Sequence, residues 1–343
     1  MTHSLHRYLL ILSLACLATS AQATTTLRMA HFWPGASSIG QDIFEKWAAT
    51  IEEESGGELR AQIYPSGTLS KPDSIYEAAV NGIADIGATA QGYTAGRFPL
   101  SQIVELPGVS TSSSQGACIV QTLFDEGYFG SEYADTRPLF MFTTGPGYLH
   151  TRSVDVVSPD DVQGLRIRRP NDAAGLVLEN LDATPVGMPA PDIYTAMQRG
   201  VIDGLSFPWE AMKVFRLNEL ANHHIEVPLM SVIFVVTMNQ RSYDNLSPAS
   251  QAVIDANSGM KWAEKAGEVY EALDTQGKAE ALQAGHTIHE VENPLENPDW
   301  QQPLNDGIES YLTQLEERGL DQARAVYGAA IEARETSCAS EQG

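Results

Sequence analysis

Cysteine is scarce in this chain, three in 343 residues, and Cys16 sits in an apolar N-terminal stretch. The other two, Cys118 and Cys338, are too few for a disulfide scaffold, although an oxidising compartment would let them pair. Beyond residue 23 no apolar run is long enough for a membrane helix. Basic residues are also few: without Arg7, the 21 Lys and Arg become 20 against 44 Asp and Glu, a formal charge of −24. That balance argues against nucleic acid or an anionic membrane surface as partner. An anionic ligand would have to be captured by a local cation against an unfavourable mean field. Enzyme signatures are missing too: there is no Gly-x-Ser-x-Gly elbow, no Walker loop and no Gly-x-Gly-x-x-Gly. His286-x-x-His289-Glu290 is out of register with zinc motifs, and His223-His224 has no evident co-ligands, so neither a metal nor another cofactor is expected.

What is present begins with a leader. Met1 to Ala23 has Arg7, an apolar core from Tyr8 to Ala18, and Ala21-Gln22-Ala23 as a small-x-small cleavage site, the pattern of a secretory signal peptide. Farther on, one pattern occurs twice. Ile75-Tyr76-x-Ala78-x-x-x-Gly82-x-x-Asp85 returns as Ile193-Tyr194-x-Ala196-x-x-x-Gly200-x-x-Asp203, at a constant offset of 118. Each copy reads as a helix closed by glycine and followed by an apolar strand, Ile83 to Ala88 and Val201 to Phe207. The chain therefore reads as two related α/β lobes, an arrangement that commonly holds a ligand where the carboxyl ends of the strands face a crevice.

The run Thr25 to Phe32 predicts a strand, Ile39 to Glu54 a helix and Leu59 to Ile63 a second strand. The second lobe replays this order with strand Leu165 to Arg169, helix Asn171 to Leu181, strand Pro185 to Met188 and helix Ala190 to Arg199. After a strand-like run at Val232 to Met238, Ser247-Pro248 opens a long helical pattern reaching about Leu282. The tail is helical from Pro303 to Ala333.

At the end of the strand that opens the second lobe, alternation sends Arg166 and Arg168 to one face, with Arg168 nearer the tip. A guanidinium there would hold a carboxylate through two parallel hydrogen bonds. Phe32 and Trp33 close the first strand, Gln91 and Tyr93 follow the first repeat, and Phe207 and Trp209 follow the second. These residues are expected to line the walls around an organic acid with an apolar or aromatic body. Trp47 and Trp262 read as core, and Asp85 and Asp203 as turn caps. Two rivals stand beside this reading: an aromatic box of Trp33, Trp209 and Tyr93 around a cationic osmolyte, and an exported two-lobed hydrolase or lyase.

Tyr64-Pro-Ser-Gly-Thr-Leu69, Gly92-Tyr-Thr-x-Gly-Arg-Phe-Pro99 with Glu105-Leu-Pro107, Gly164-Leu-Arg-Ile-Arg-x-Pro170 and Gly200-Val-Ile-Asp-Gly204 occur in one order. In these motifs the chain resembles the DctP-type extracytoplasmic solute receptors of TRAP transporters. The resemblance implies an α/β two-lobed periplasmic clamshell with mixed sheets and a long helix spanning both lobes. It also implies a receptor, not an enzyme, that binds a small organic carboxylate and passes it to a sodium-driven TRAP permease. The family's selectivity arginine falls on Arg168. Phe207 replaces the asparagine many members place before the proline, which argues against sialic acid or ectoine. Lobes of 24–148 with 239–282 and of 149–238 with 283–335 are expected, hinged near 145–150 and 235–239, with 336–343 unstructured, in a monomer located in the periplasm.

Overall fold

The computed structural model describes residues 24–339. The expected leader, its cleavage site and Cys16 lie outside the described residues, as do residues 340–343. Strand β1 (Thr25–His31) leads through a π-helical turn, Gly40–Glu45, into helix α1 (Lys46–Glu54), then β2 (Leu59–Tyr64), α2 (Ile75–Val80), β3 (Ile86–Ala90), α3 (Ser113–Asp125) and β4 (Arg137–Thr143). The second lobe runs β5 (Gly147–Thr151), β6 (Arg166–Arg169), α4 (Asp172–Glu179), β7 (Thr184–Gly187), α5 (Ala190–Gln198), β8 (Gly204–Phe207), α6 (Trp209–Val214) and β9 (His223–Met230). There follow β10 (Ile233–Met238), α7 (Gln240–Asp244), α8 (Pro248–Ala256), α9 (Met260–Gln283), β11 (Thr287–Glu290), α10 (Gln301–Glu317) and α11 (Ala323–Glu335).

Two mixed sheets result, in the orders β2-β1-β3-β10-β4 and β11-β9-β5-β8-β6-β7. The internal repeat is visible in the pairing. Strand β1 lies between parallel β2 and β3 as β6 lies between parallel β7 and β8, and Met29 faces Ile86 as Ile167 faces Gly204. Asp85 and Asp203, expected as turn caps, each clamp the arginine of the neighbouring strand. Asp85 Oδ2 accepts from the Arg28 backbone N–H at 2.8 Å and from its Nε at 2.9 Å, and Asp203 Oδ2 accepts from both groups of Arg166 at 2.9 Å. The carboxylates thus tie the strands together at the ends remote from the crevice.

Several boundaries differ from expectation. Strand β10 pairs antiparallel with β3 and β4, so it belongs to the first lobe and not the second. The crossings accordingly fall at 144–146 and 231–232, the second earlier than the expected hinge. They are bonded to each other: Thr144 N–H donates to Val232 O and Val232 N–H to Thr144 Oγ1, both at 3.0 Å. The long helical pattern is broken at 257–259, where Gly259 has φ +64°. There Asn257 O accepts from Trp47 Nε1 at 2.9 Å, which holds the break against α1. Helix α9, beginning at Met260, packs on α3 of the first lobe and α6 of the second. Gly277 allows the second contact, since a Cβ there would stand 2.1 Å from Trp209 O. The helical tail is two helices, α10 against α4 and α11 against α3 of the first lobe. A disulfide joins Cys338, expected in an unstructured tail, to Cys118 on α3.

Candidate functional site

Among the described residues Arg168 is the one Lys or Arg that is fully buried. It lies in β6, whose first residue is exposed and whose two middle residues are buried. The guanidinium donates from Nε to Met188 O at 3.0 Å and from Nη1 to Ser206 O at 3.5 Å, and it lies 4.9 Å from the centre of the Phe207 ring. Nη2 has no hydrogen-bond partner, and no carboxylate pairs with the group, among the described residues. Burial lowers its proton affinity from the ordinary arginine value, but a guanidinium stays charged in proteins. A buried, unpaired cation is costly. The arrangement suits a site completed by an anion.

Arg168 lines a cavity between the lobes together with Phe32, Trp33, Tyr93, Phe207 and Glu210, and with Phe215, Val232 and Phe234. Phe32 stacks on Trp33 at 3.9 Å between ring centres, Trp33 meets Phe234 edge-on at 4.9 Å, and Tyr93 stands 5.3 Å from Phe32. The space open to water is about 20 Å³, little more than one water molecule needs. The lobes are closed on it. Ala190 N–H of the second lobe donates to Tyr93 Oη of the first at 2.9 Å, and the buried Glu105 carboxylate accepts from Asn171 Nδ2 and from Ile233 N–H, each at 2.6 Å.

Of the eight residues singled out from sequence, Arg168, Phe207, Phe32, Trp33 and Tyr93 come together in this lining; Trp209, Gln91 and Arg166 do not. Arg166 sits at the opposite end of β6, half-exposed and ion-paired with Asp203. Sharing a strand face with Arg168 does not bring it to the same crevice. Trp209 turns away with the first residue of α6: its Nε1 donates to Glu226 at 2.7 Å, and its ring packs 4.8 Å from both His150 and His224. Gln91 is buried, with both side-chain polar atoms unpartnered among the described residues, but it is not part of the lining.

Sequence reasoning missed Glu210, Phe215, Val232, Phe234 and Thr144. The alternation of Val232 and Phe234 is a usable signal, but its period of two does not say which lobe the strand joins. Glu210 follows Trp209 by one helical step, about 100° of rotation, so one faces the cavity and its neighbour does not. A larger groove of about 860 Å³ runs along Pro146, Tyr148, Lys278, Leu295 and Arg334. Its cations are already engaged, Lys278 with Glu226 and Glu290, and Arg334 with Gly108 O and Glu335.

A family model described as DctP, bacterial extracellular solute-binding protein, family 7, matches residues 29–314. A TRAP solute-binding protein of Rhodoferax ferrireducens, solved with copurified benzoate, is 31% identical with a TM-score of 0.87, covering 92% of this chain and all of that one. A marine metagenome TRAP protein specific for aromatic acids, solved with 3-hydroxybenzoate, is also 31% identical with a TM-score of 0.84, over 90% and 97% of the two chains. The sialic acid-binding periplasmic protein SiaP of Vibrio cholerae is 27% identical over 70% of this chain and 78% of its own.

Proposed function

Since this chain belongs to the DctP family of bacterial extracellular solute-binding proteins, we propose that it is the periplasmic receptor for an aromatic monocarboxylate, which it delivers to a TRAP permease. The observation that carries this reading is the buried, unpaired guanidinium of Arg168 among the rings of Phe32, Trp33, Tyr93, Phe207 and Phe234. A carboxylate on Arg168 would supply the missing partner through charge-assisted, bidentate bonds. The apolar walls would hold an aromatic body and offer little to the hydroxyls of a sugar acid. The benzoate and 3-hydroxybenzoate carried by the two structural relatives support the same class.

Binding needs no chemistry on the ligand, and the family consists of receptors. In this reading the leader is removed on export, the protein acts as a monomer, and no metal or cofactor takes part. The osmolyte rival weakens because a cationic ligand would have to share the cavity with Arg168.

Thermal unfolding tests the reading. Protein freed of any copurified ligand should be stabilised by benzoate or 3-hydroxybenzoate in proportion to the logarithm of concentration, and not by betaine or glucuronate. Stabilisation by betaine alone would overturn the carboxylate assignment. Native mass spectrometry of protein purified without refolding should show an added mass matching an aromatic acid.

A further inference from the structure

Glu210 lines the cavity with Arg168, is buried, and has an Oε2 atom without a hydrogen-bond partner among the described residues. A carboxylate on Arg168 does not require it. The groups around Glu210 are mainly acids and phenols. Its own backbone N–H donates to Asp274 Oδ1 of α9 at 2.9 Å. Burial, and after it Glu271 on α9 and Glu226 on β9, raise Asp274 in turn, while Tyr93 and Tyr270 are the phenols that sense Glu210. Arg168 is the cation of the cavity, and it makes no ion pair with Glu210. Burial, and then Asp274, hold the Glu210 proton well above the usual carboxylate range. A protonated carboxyl offers one O–H donor and one carbonyl acceptor. It also leaves the cavity with the net positive charge of Arg168, whereas an ionised Glu210 would cancel that charge and repel an incoming carboxylate.

We propose that Glu210 is a specificity-determining residue that reads a hydroxyl on the ring of an aromatic acid whose carboxylate is held by Arg168. The hydroxyl oxygen accepts from the Glu210 O–H, and the hydroxyl O–H donates to the Glu210 carbonyl oxygen. Benzoate would leave Oε2 unmet, and a site built to bond a hydroxyl discriminates strongly against the analogue that lacks it. This inference rests on the aromatic-acid reading above.

The test is calorimetric titration of ligand-freed protein with benzoate and with 2-, 3- and 4-hydroxybenzoate. At least one hydroxy isomer should bind about tenfold or more tighter than benzoate, as one satisfied buried hydrogen bond implies. Glu210→Gln keeps a donor and an acceptor and should preserve that ratio, whereas Glu210→Leu should bring it to about one. No preference for any isomer in the wild type, or a preference surviving in Glu210→Leu, would overturn the proposal. If Arg168→Gln binds benzoate as wild type does, the carboxylate reading itself fails, which separates the two failures. Should Glu210→Leu not fold, the pH profile decides. Wild-type affinity for the preferred isomer should fall as pH rises through the raised Glu210 value, while that of Glu210→Gln stays flat; parallel profiles would overturn the proposal.

Discussion

Replacing Arg168 with methionine should have opposite effects on binding and on the stability of the ligand-free fold. In the closed arrangement the change removes a 3.0 Å bond to Met188 O, a marginal 3.5 Å contact with Ser206 O and a ring contact at 4.9 Å. Charged hydrogen bonds contribute about 1.5–3 kcal/mol each and the cation–π contact about 0.5–2. Against these stands the desolvation of a buried unpaired ion, several kcal/mol. The two sides nearly cancel when the lobes are closed, and with the lobes apart the guanidinium is hydrated, so the unfolding free energy of ligand-free Arg168→Met should lie within about 1 kcal/mol of wild type or above it. With ligand present the balance changes, because the variant would bury a carboxylate with no partner. The loss should be about 2–5 kcal/mol, a roughly 30- to several-thousandfold rise in the Kd for benzoate. Calorimetry measures the binding term and urea unfolding the fold term, on the same preparations. A Kd within threefold of wild type, together with a fold weakened by more than about 3 kcal/mol, would mean that Arg168 is a structural cation and that the binding assignment is wrong.

Gly92→Ala would put a Cβ 2.5 Å from Asn171 Cβ and 2.9 Å from Pro170 O, contacts made only across the closed lobes. Benzoate affinity should fall by about tenfold or more for a clash of 1–3 kcal/mol, and the ligand-induced compaction seen by small-angle scattering should shrink. Reducing the Cys118–Cys338 disulfide, which ties the segment just after α11 to α3 across 220 residues of sequence, should lower urea stability by about 2–5 kcal/mol. Benzoate affinity should be unchanged, because neither helix lines the cavity. Burial pushes Asp274 up to about 7, so the native state holds that proton more tightly than the unfolded chain does. Its contribution is fully present below the ordinary carboxylate range and is lost as pH rises from about 4 to about 7. Asp274→Asn should flatten that part of the stability curve by a few kcal/mol, at about 1.4 per pH unit, relative to wild type in urea melts at successive pH values. An unchanged curve would mean that Asp274 is better solvated than its position beside Glu210 implies.

The two-lobed fold was legible because its evidence is local and occurs twice. The glycine-closed helices, the apolar strands after them and the acids at a fixed offset each reflect backbone geometry that a short window can carry. What was lost depends on information no window holds. A run such as Ile233–Met238 declares itself a strand, but nothing in its period of two says which sheet it joins, and it joined the first. Helical phase decided the fates of Trp209 and Glu210, and a one-step change of phase exchanges core for cavity. Arg166 and Arg168 share a face, but strand position matters as well as face, and Asp203 secures Arg166 at the far end. The break between α8 and α9 needed knowledge that Trp47, 210 residues away in sequence, takes Asn257 O as its acceptor.

Although the lobes share a frame, they contribute different chemistry, and the difference links ligand charge to closure. Their equivalent strands are clamped by the same Arg–Asp device, and by the equivalence of Arg28 with Arg166, Ala30 on β1 occupies the position of Arg168 on β6. The cation therefore comes from one lobe, while Phe32, Trp33, Tyr93 and Phe234 come from the other. Separated lobes would leave the guanidinium in water; bringing the aromatic wall over it removes that hydration, at a penalty of several kcal/mol. A ligand shifts the equilibrium only by the difference in its affinity for the two states, and a carboxylate gains most where water is excluded. Charge on the ligand thus offsets the desolvation that closure imposes, and shape alone does not. Benzamide, which matches benzoate in size but carries no charge, should enter the open cleft without driving closure. Full compaction by benzamide in small-angle scattering would show that aromatic contact, and not the guanidinium, closes the lobes.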